Sequence, residues 1–454
     1  MDIHARIAQI VETRTQELVA LRRQLHQHPE LAFEEHQTAQ TVAAFLSKLG
    51  IKFRSGIGKT GVVAVIDGAK PGRTVGIRAD MDALPILEQT GLAFASKVPG
   101  KMHACGHDVH TVIALGVAAA LSEVKSEFGG RVKLIFQPAE ETLSGAQAMI
   151  ADGVLDEPQM DVILGYHNWP AVEAGKVGYN ADVVMASADA FDITLKGREG
   201  HGAHPHMGVD TLAAAAHFVS QVQTIVSREV KPISPAVVTV GELHAGTARN
   251  IIAGSAVLKG IVRTMEAGLS QKIEQAMRRM LEGIKTGMRV DYALDWKRVA
   301  PALRNHKPTL ERLLKSARDA LGAQNVLELP EASMGSEDFA WFAERVPAAH
   351  LRIGSKIEGL DTAIHRANYD CNDLAIPIGV RVMTRAVLEL PEASMGSEDF
   401  AWFAERVPAA HLRIGSKIDG LDTAIHRANY DCNDLAIPIG VRVMTRAVLE
   451  LAGK

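Results

Sequence analysis

Nine consecutive residues, MHACGHDVH (102–110), hold three histidines, a cysteine and an aspartate. They form a glycine-containing turn before an apolar run that reads as a helix. Cys105 and His107 are two positions apart, so an extended turn can aim both at one ion. Thiolate and imidazole together suit zinc or a neighbouring first-row metal. The plainer reading is a polar helix start, with Asp108 near the cap and the histidines toward solvent.

Other stretches add donors of the same kind. FQPAEET (136–142) sets Glu140 and Glu141 after an apolar strand, GYHNWP (165–170) sets His167 after another, and RADMDALP (78–85) sets Asp80 and Asp82 after a third. Singly, adjacent acids are commonly a solvated turn and a lone histidine is commonly structural. Open α/β sheets, however, bind ligands beyond the carboxyl ends of their strands. Independent strands would therefore carry Cys, His, Glu, His and Asp to one rim. That set suits a two-metal hydrolase, in which two cations acidify a shared water. One carboxylate would bind metal while its neighbour stays free as base. A histidine from a separate element would complete the second ion's shell.

The elements that must position these residues follow from periodicity. Helical spacing over 5–25 and 36–49 precedes strand-like runs at 61–67, 73–79, 131–137 and 161–167, with a helix over about 108–124. This alternation predicts an α/β domain with a mostly parallel sheet and helices on both faces. From 183 the pattern changes to strand 188–197, helix 208–227, strands 235–246 and 255–264, helix 268–287 and strand 288–296. The order βαββαβ is that of a ferredoxin-like unit. The expected organisation is a catalytic domain over 1–182 and 300–386, interrupted by an inserted lid or dimerisation domain over 183–299. GIGKTG (56–61) imitates a phosphate loop, but Phe53 stands where the first glycine is needed and a strand follows. It reads as a hairpin turn.

The chain has 454 residues, 47% hydrophobic and 22% charged, with a net charge of −4. These values fit a globular protein and give no reason to expect nucleic acid or an anionic membrane as partner. The first 25 residues are charged throughout, and the longest apolar run, 111–121, is too short to span a bilayer. Three cysteines, Cys105, Cys371 and Cys432, make no disulfide framework, so a reducing cytoplasm is expected.

Residues 326–386 recur as 387–447, differing at one position, Glu358 against Asp419. The word VLEL opens both copies and returns at 448–451, within the tail 448–454. A unit bounded by a repeated word marks out-of-register duplication, not a solenoid. The second copy reads as surplus. Each copy carries TAIHRANYDCND, and with it His365 or His426. The first copy joins the preceding helix directly. Docking the second would leave a loop of about 61 residues, which costs roughly 3–4 kcal/mol to close, so His365 is preferred.

Together, RRQLHQHPELAFEE (22–35), GIRADMDALPI (76–86), MHACGHDVHT, FQPAEE, GYHNWP, GREGHGAHPH (197–206) and MGSEDFAWF (334–342) resemble the co-catalytic metallopeptidases that include aminoacylase, glutamate carboxypeptidase and hippurate hydrolase. The subgroup of N-acyl amino acid amidohydrolases, including the indoleacetyl-amino-acid hydrolases, is the most similar. The resemblance implies two divalent ions per subunit, zinc or manganese, with cobalt or nickel as further options. It implies Cys105, His107, Glu141, His167 and either His365 or His426 as their ligands, and Glu140 as general base. It implies a homodimer through the inserted domain, with His201 reaching the partner's site to stabilise an oxyanion, and with Asn250 and Arg263 on the substrate carboxylate. The implied reaction is hydrolysis of a small-molecule N-acyl amino acid. The rivals are a dipeptidase or carboxypeptidase on the same metals, or a chain silenced by its duplication. Ala253, Arg366, Ala367 and Cys371 depart from the family's common residues and bear on loop shape and the acyl pocket.

Overall fold

The computed structural model describes residues 2–390. The second copy from 391 onward, including His426, lies outside the described residues.

An eight-stranded sheet runs in the order Phe53–Ile57, Gly61–Asp67, Gly129–Gln137, Lys70–Asp80, Val162–Glu173, Ala348–Lys356, Val177–Tyr179 and Val326–Glu328. The central strands pair in parallel; the Phe53–Ile57 and Gly61–Asp67 edge is antiparallel. That edge is the hairpin around GIGKTG, with Ile57 opposite Gly61. Strand periodicity of two separates the faces. Leu134, Phe136, Val162 and Leu164 join one core cluster with the helices Ile3–Gln27, His107–Val124 and Ala375–Glu389, whereas Ile135 and Ile163 join a second cluster around Phe339 and Phe342. The helix His107–Val124 is buried almost all round, which explains its nearly unbroken apolar sequence.

Residues 188–300 build a separate four-stranded antiparallel sheet, ordered Ala236–Ala245, Ser255–Thr264, Ala188–Lys196, Asp291–Ala300. The helices Thr211–Thr224 and Leu269–Met288 cover it through Phe191, Leu195, Phe218, Leu258 and Met277. Its first and last strands are neighbours, with Ala188 opposite Ala300, so entry and exit of this segment lie side by side. The ferredoxin-like order holds. The helix expected over 208–227 begins at Thr211, because the Asp210 side chain accepts from Leu212 N and Ala213 N at 3.0 Å each.

The first copy supplies Val326–Glu328, Ala348–Lys356 and Ala375–Glu389. Its last helix is capped at Leu390, which is buried. A chain ending at Leu390 is therefore expected to unfold cooperatively by circular dichroism and to keep the full chain's metal stoichiometry. Loss of either would show that the second copy completes the fold.

Candidate metal centre

Strand register fixes the rim. Asp80 lies opposite Gln137, Arg352 opposite His167, and Ile77 opposite Leu164, three residues before Asp80 and His167 respectively. Asp80 and Gln137 end their strands, whereas His167 and Arg352 lie within Val162–Glu173 and Ala348–Lys356, which run on past this level. The turn before the helix His107–Val124 enters this rim from above. Gly106 makes it possible: its φ is +86°, and a Cβ there would sit 1.8 Å from Asn168 Nδ2. The PAEE turn is likewise tight, with Ala139 at φ +53° and its N–H donating to Glu35 Oε1 at 2.8 Å.

The donors converge. Ligand atoms of Cys105, His107 and His167 lie within 4.8 Å of one another, as do those of Cys105, Glu141 and His365, and those of His107, Glu140 and Glu141. Ligands placed about 2.0–2.3 Å from a common ion have such separations. His107 Nε2 and Glu141 Oε1 are buried, lack hydrogen-bond partners among the described residues and face each other at 3.8 Å. That is too long for a hydrogen bond. A cation between them would satisfy both. His167 Nδ1 donates to the Asn168 carbonyl at 2.6 Å, which leaves its Nε2 lone pair 3.3 Å from Cys105 Sγ. His365 Nε2 stands 3.4 Å from Glu141 Oε2. His365 occupies the left-handed region at φ +64°, a conformation that costs energy in a non-glycine residue and here aims the ring inward from a half-exposed loop. The donor set fits divalent metal.

Electrostatics agree. Burial, then Glu141 and Glu140, hold the Cys105 thiol well above its usual range. Burial raises Glu141 to about 7 although His107 opposes it, and burial with Glu337 and Glu141 raises Glu140. Against burial, Asp80 and Asp82 raise His107 to about 10, so the acids of this dry space draw positive charge toward them, as a bound cation would supply.

Supporting residues hold the donors. Asp82 accepts from the N–H groups of Glu140 and Glu141 at 3.0 and 2.9 Å and faces His107 Nδ1 at 3.3 Å. Asp80 binds His110 Nδ1 at 2.5 Å and Arg78 at 2.6 Å. Arg78 also donates to Glu337 at 2.8 Å and Asp338 at 2.9 Å, tying GSEDF beneath Glu140. Asn168 donates to the Cys105 carbonyl at 2.7 Å and accepts from Tyr369 at 2.7 Å, which links the CGH turn to the His365 loop. Arg22 is buried between Asp108, Asp370 and Asp373. Asp80 and Asp82, read from the sequence as rim donors, hold His110, His107 and the two glutamate N–H groups; Arg22, Arg78, Asn168, Glu337, Asp338 and Tyr369 carried no role in the sequence reading. The words around them, RRQLHQHPELAFEE and MGSEDFAWF, were legible, but a residue that acts through another leaves no donor spacing to read.

His26 sits in the same layer, bonding Asp108 at 2.9 Å and Glu88 at 3.4 Å. Burial opposes its cation, but the two carboxylates raise its pKa to about 9. A raised folded-state pKa means that the stabilisation is complete below the unfolded value near 6.5 and disappears as pH rises through 9. Stability of the metal-free protein should therefore fall by up to about 3 kcal/mol from this group across that window. Urea melts of wild type and His26→Asn at pH 6 and 9.5 check it. Equal pH slopes in the two proteins would dismiss the contribution.

The remaining predicted residues lie elsewhere. His201 and Asn250 are exposed neighbours on a small ribbon, with His201 opposite Ile251 and Gly202 N donating to the Asn250 carbonyl at 2.8 Å. Within one chain neither belongs to the donor groups. Arg263 is half-buried and bonds Ser336 of GSEDF. Cys371 is buried with its Sγ 3.4 Å from Arg22 Nη2, so this departure faces the scaffold rather than an acyl pocket. A cavity of about 450 Å³ between the smaller sheet and the short helix Ala340–Ala343, lined by Asp189, Trp296 and Arg298, is separate from the donors.

Residues 76–389 match the model of peptidase family M20/M25/M40. N-acetylcysteine deacetylase of Bacillus subtilis (strain 168) is 40% identical over 339 residues, 74% of this chain and 88% of that protein. N-acyl-L-amino acid amidohydrolase of Geobacillus stearothermophilus is 44% identical over 279 residues, 61% of this chain and 75% of that protein. Among solved structures, a dinuclear metal-binding peptidase of the M20 family from Bacillus subtilis superposes with a TM-score of 0.73 at 34% identity, covering 84% of this chain and 99% of that one.

Proposed function

The chain belongs to peptidase family M20/M25/M40, and from that premise we propose that it is a metal-dependent amidohydrolase that splits N-acyl amino acids into a carboxylate and a free amino acid. The observation that carries this reading is the pair of partnerless buried atoms, His107 Nε2 and Glu141 Oε1, facing each other at 3.8 Å inside a ring of further donors.

Cys105, His107, Glu141, His167 and His365 would hold two divalent ions, zinc or manganese, with cobalt or nickel as options. Such ions, when bound, acidify water and polarise a scissile carbonyl. Glu140 is the general base. Its carboxylate takes the proton from the attacking water and passes it to the departing amine nitrogen. Asp82 fixes the backbone of both glutamates, so one carboxylate serves as ligand while its neighbour stays free. Asn250 and the Arg263 fork would hold the substrate's α-carboxylate. His201 would donate to the oxyanion from the partner subunit of a homodimer. The exposure of His201 and Asn250 supports that role, as do the exposed apolar side chains Val237, Leu243, Ile251 and Ile261 on the same smaller sheet unit.

The test is a panel of N-acetyl amino acids, hippurate and unblocked dipeptides, assayed with Zn, Mn, Co or Ni. Release of free amino acid from the acylated members, lost on chelation and restored by metal, is expected. Turnover confined to dipeptides would replace this reading with a peptidase.

A further inference from the structure

Three arginines of the described residues are buried: Arg22, Arg78 and Arg352. Arg22 has Asp108, Asp370 and Asp373 around it, and Arg78 has Asp80, Glu337 and Asp338. Arg352, only 2% exposed, has no carboxylate within ion-pair distance among the described residues. Among the described residues its one hydrogen bond runs from Nη2 to the Val184 carbonyl at 3.1 Å, and its Nε has no partner. The acid whose field reaches it, Glu337, is already engaged by Arg78. Lys133 is also buried without an acid, but two backbone carbonyls cap it and an ammonium can give up its proton; a guanidinium cannot. An unpaired buried guanidinium is costly, and buried charges ordinarily carry partners.

Its location suggests where the partner comes from. Arg352 stands opposite His167 in strand register and stacks 3.5 Å over the Trp169 ring, whose centroid is 5.8 Å from that of His167. The guanidinium is therefore one ring removed from a donor of the candidate metal centre. Arg263, which bonds Ser336 next to Glu337, also lacks a carboxylate partner among the described residues. Arg352 thus lies one ring from His167, and Arg263 bonds the residue before Glu337, which is grouped with Glu140.

Building on the amidohydrolase reading, we propose that Arg352 binds a second carboxylate of the substrate, which makes dianionic N-acyl amino acids the preferred class. That carboxylate belongs either to an acidic amino-acid side chain or to the far end of the acyl group. Arg263 takes the α-carboxylate and Arg352 the other.

Paired substrates separate the two sources. N-acetylglutamate is compared with N-acetylglutamine, and N-succinylalanine with N-butyrylalanine, as racemates, on wild type and Arg352→Met. Wild type should favour the dianion in one pair, and that pair names the source. Arg352→Met should raise KM for that dianion about 10- to 100-fold, the worth of a charged hydrogen bond, with kcat nearly unchanged and the monoanion unaffected. Because the substitution removes an unpaired buried charge, the melting temperature should hold or rise. A purely structural arginine predicts the reverse: lower melting temperature and equal losses on both members of a pair, which would overturn the proposal. Arg352→Gln replaces the methionine variant should that fail to fold. If wild type hydrolyses other N-acyl amino acids but prefers the dianion in neither pair, the proposal falls while the amidohydrolase reading stands; if it hydrolyses no N-acyl amino acid at all, that reading falls. Calorimetric titration with glutarate then decides the anion site separately: binding by wild type that Arg352→Gln abolishes upholds it, and no binding by wild type overturns it.

Discussion

Glu140→Gln should lower kcat by about 10²- to 10⁴-fold, the range a positioned general base supplies, while KM and metal content stay close to wild type. The amide keeps the shape and the backbone bond to Asp82 but cannot accept a proton. Glu141 is untouched, so the donor ring remains intact. A second signature should accompany the loss. Glu140 shares its buried space with Glu337 and Asp338, and burial together with Glu337 and Glu141 already pushes its carboxyl toward the protonated form. Neutralising it removes like-charge repulsion, so the variant should melt at the same temperature as wild type or higher, the usual trade between stability and activity at a working site. Rate measurements, metal analysis and a thermal melt on one preparation test all three parts. A variant at the full rate ends the assignment of Glu140 as base.

His107→Ala should abolish measurable turnover and bound metal together. His107 lies within reach of Cys105, His167, Glu140, Glu141 and Asp80, more of the cluster than any other donor touches. Asp82→Asn gives the graded counterpart. Asp82 touches the centre through His107 Nδ1 and the two glutamate N–H groups, and such outer partners typically contribute 10- to 100-fold to metal affinity or activity. Competition with a chelating dye should rank wild type, Asp82→Asn and His107→Ala in falling affinity. If His107→Ala retained two ions per chain, the donor set would have to be reassigned.

The histidine loop shows how far the repeated sequence could be read. TAIHRANYDCND occurs twice with identical chemistry, so no residue type separates His365 from His426. Chain connectivity favoured the first copy, because closing a loop costs entropy whatever its sequence. The structure places His365 beside Glu141 and anchors its N–H on the Ala104 carbonyl at 2.7 Å. His426 lies outside the described residues, so these contacts describe the first copy alone; they join distant segments, which a repeated string cannot encode.

Much else was determined locally. Periodicity of two and of 3.6 located the parallel strands, the helix behind CGHD and the βαββαβ unit, because each element buries one face and its sequence must alternate accordingly. The donor types were visible at strand ends, because open α/β sheets bring those ends to one side. What only the tertiary structure decided is which groups are left without partners. Burial and pairing are properties of three-dimensional surroundings: Arg22 and Arg78 find three acids each, while Arg352, equally arginine in the sequence, finds none among the described residues. The same holds for His107 Nε2 and Glu141 Oε1, whose unmet bonding at 3.8 Å exists only once a helix start and a strand end, separated in the chain, are brought face to face.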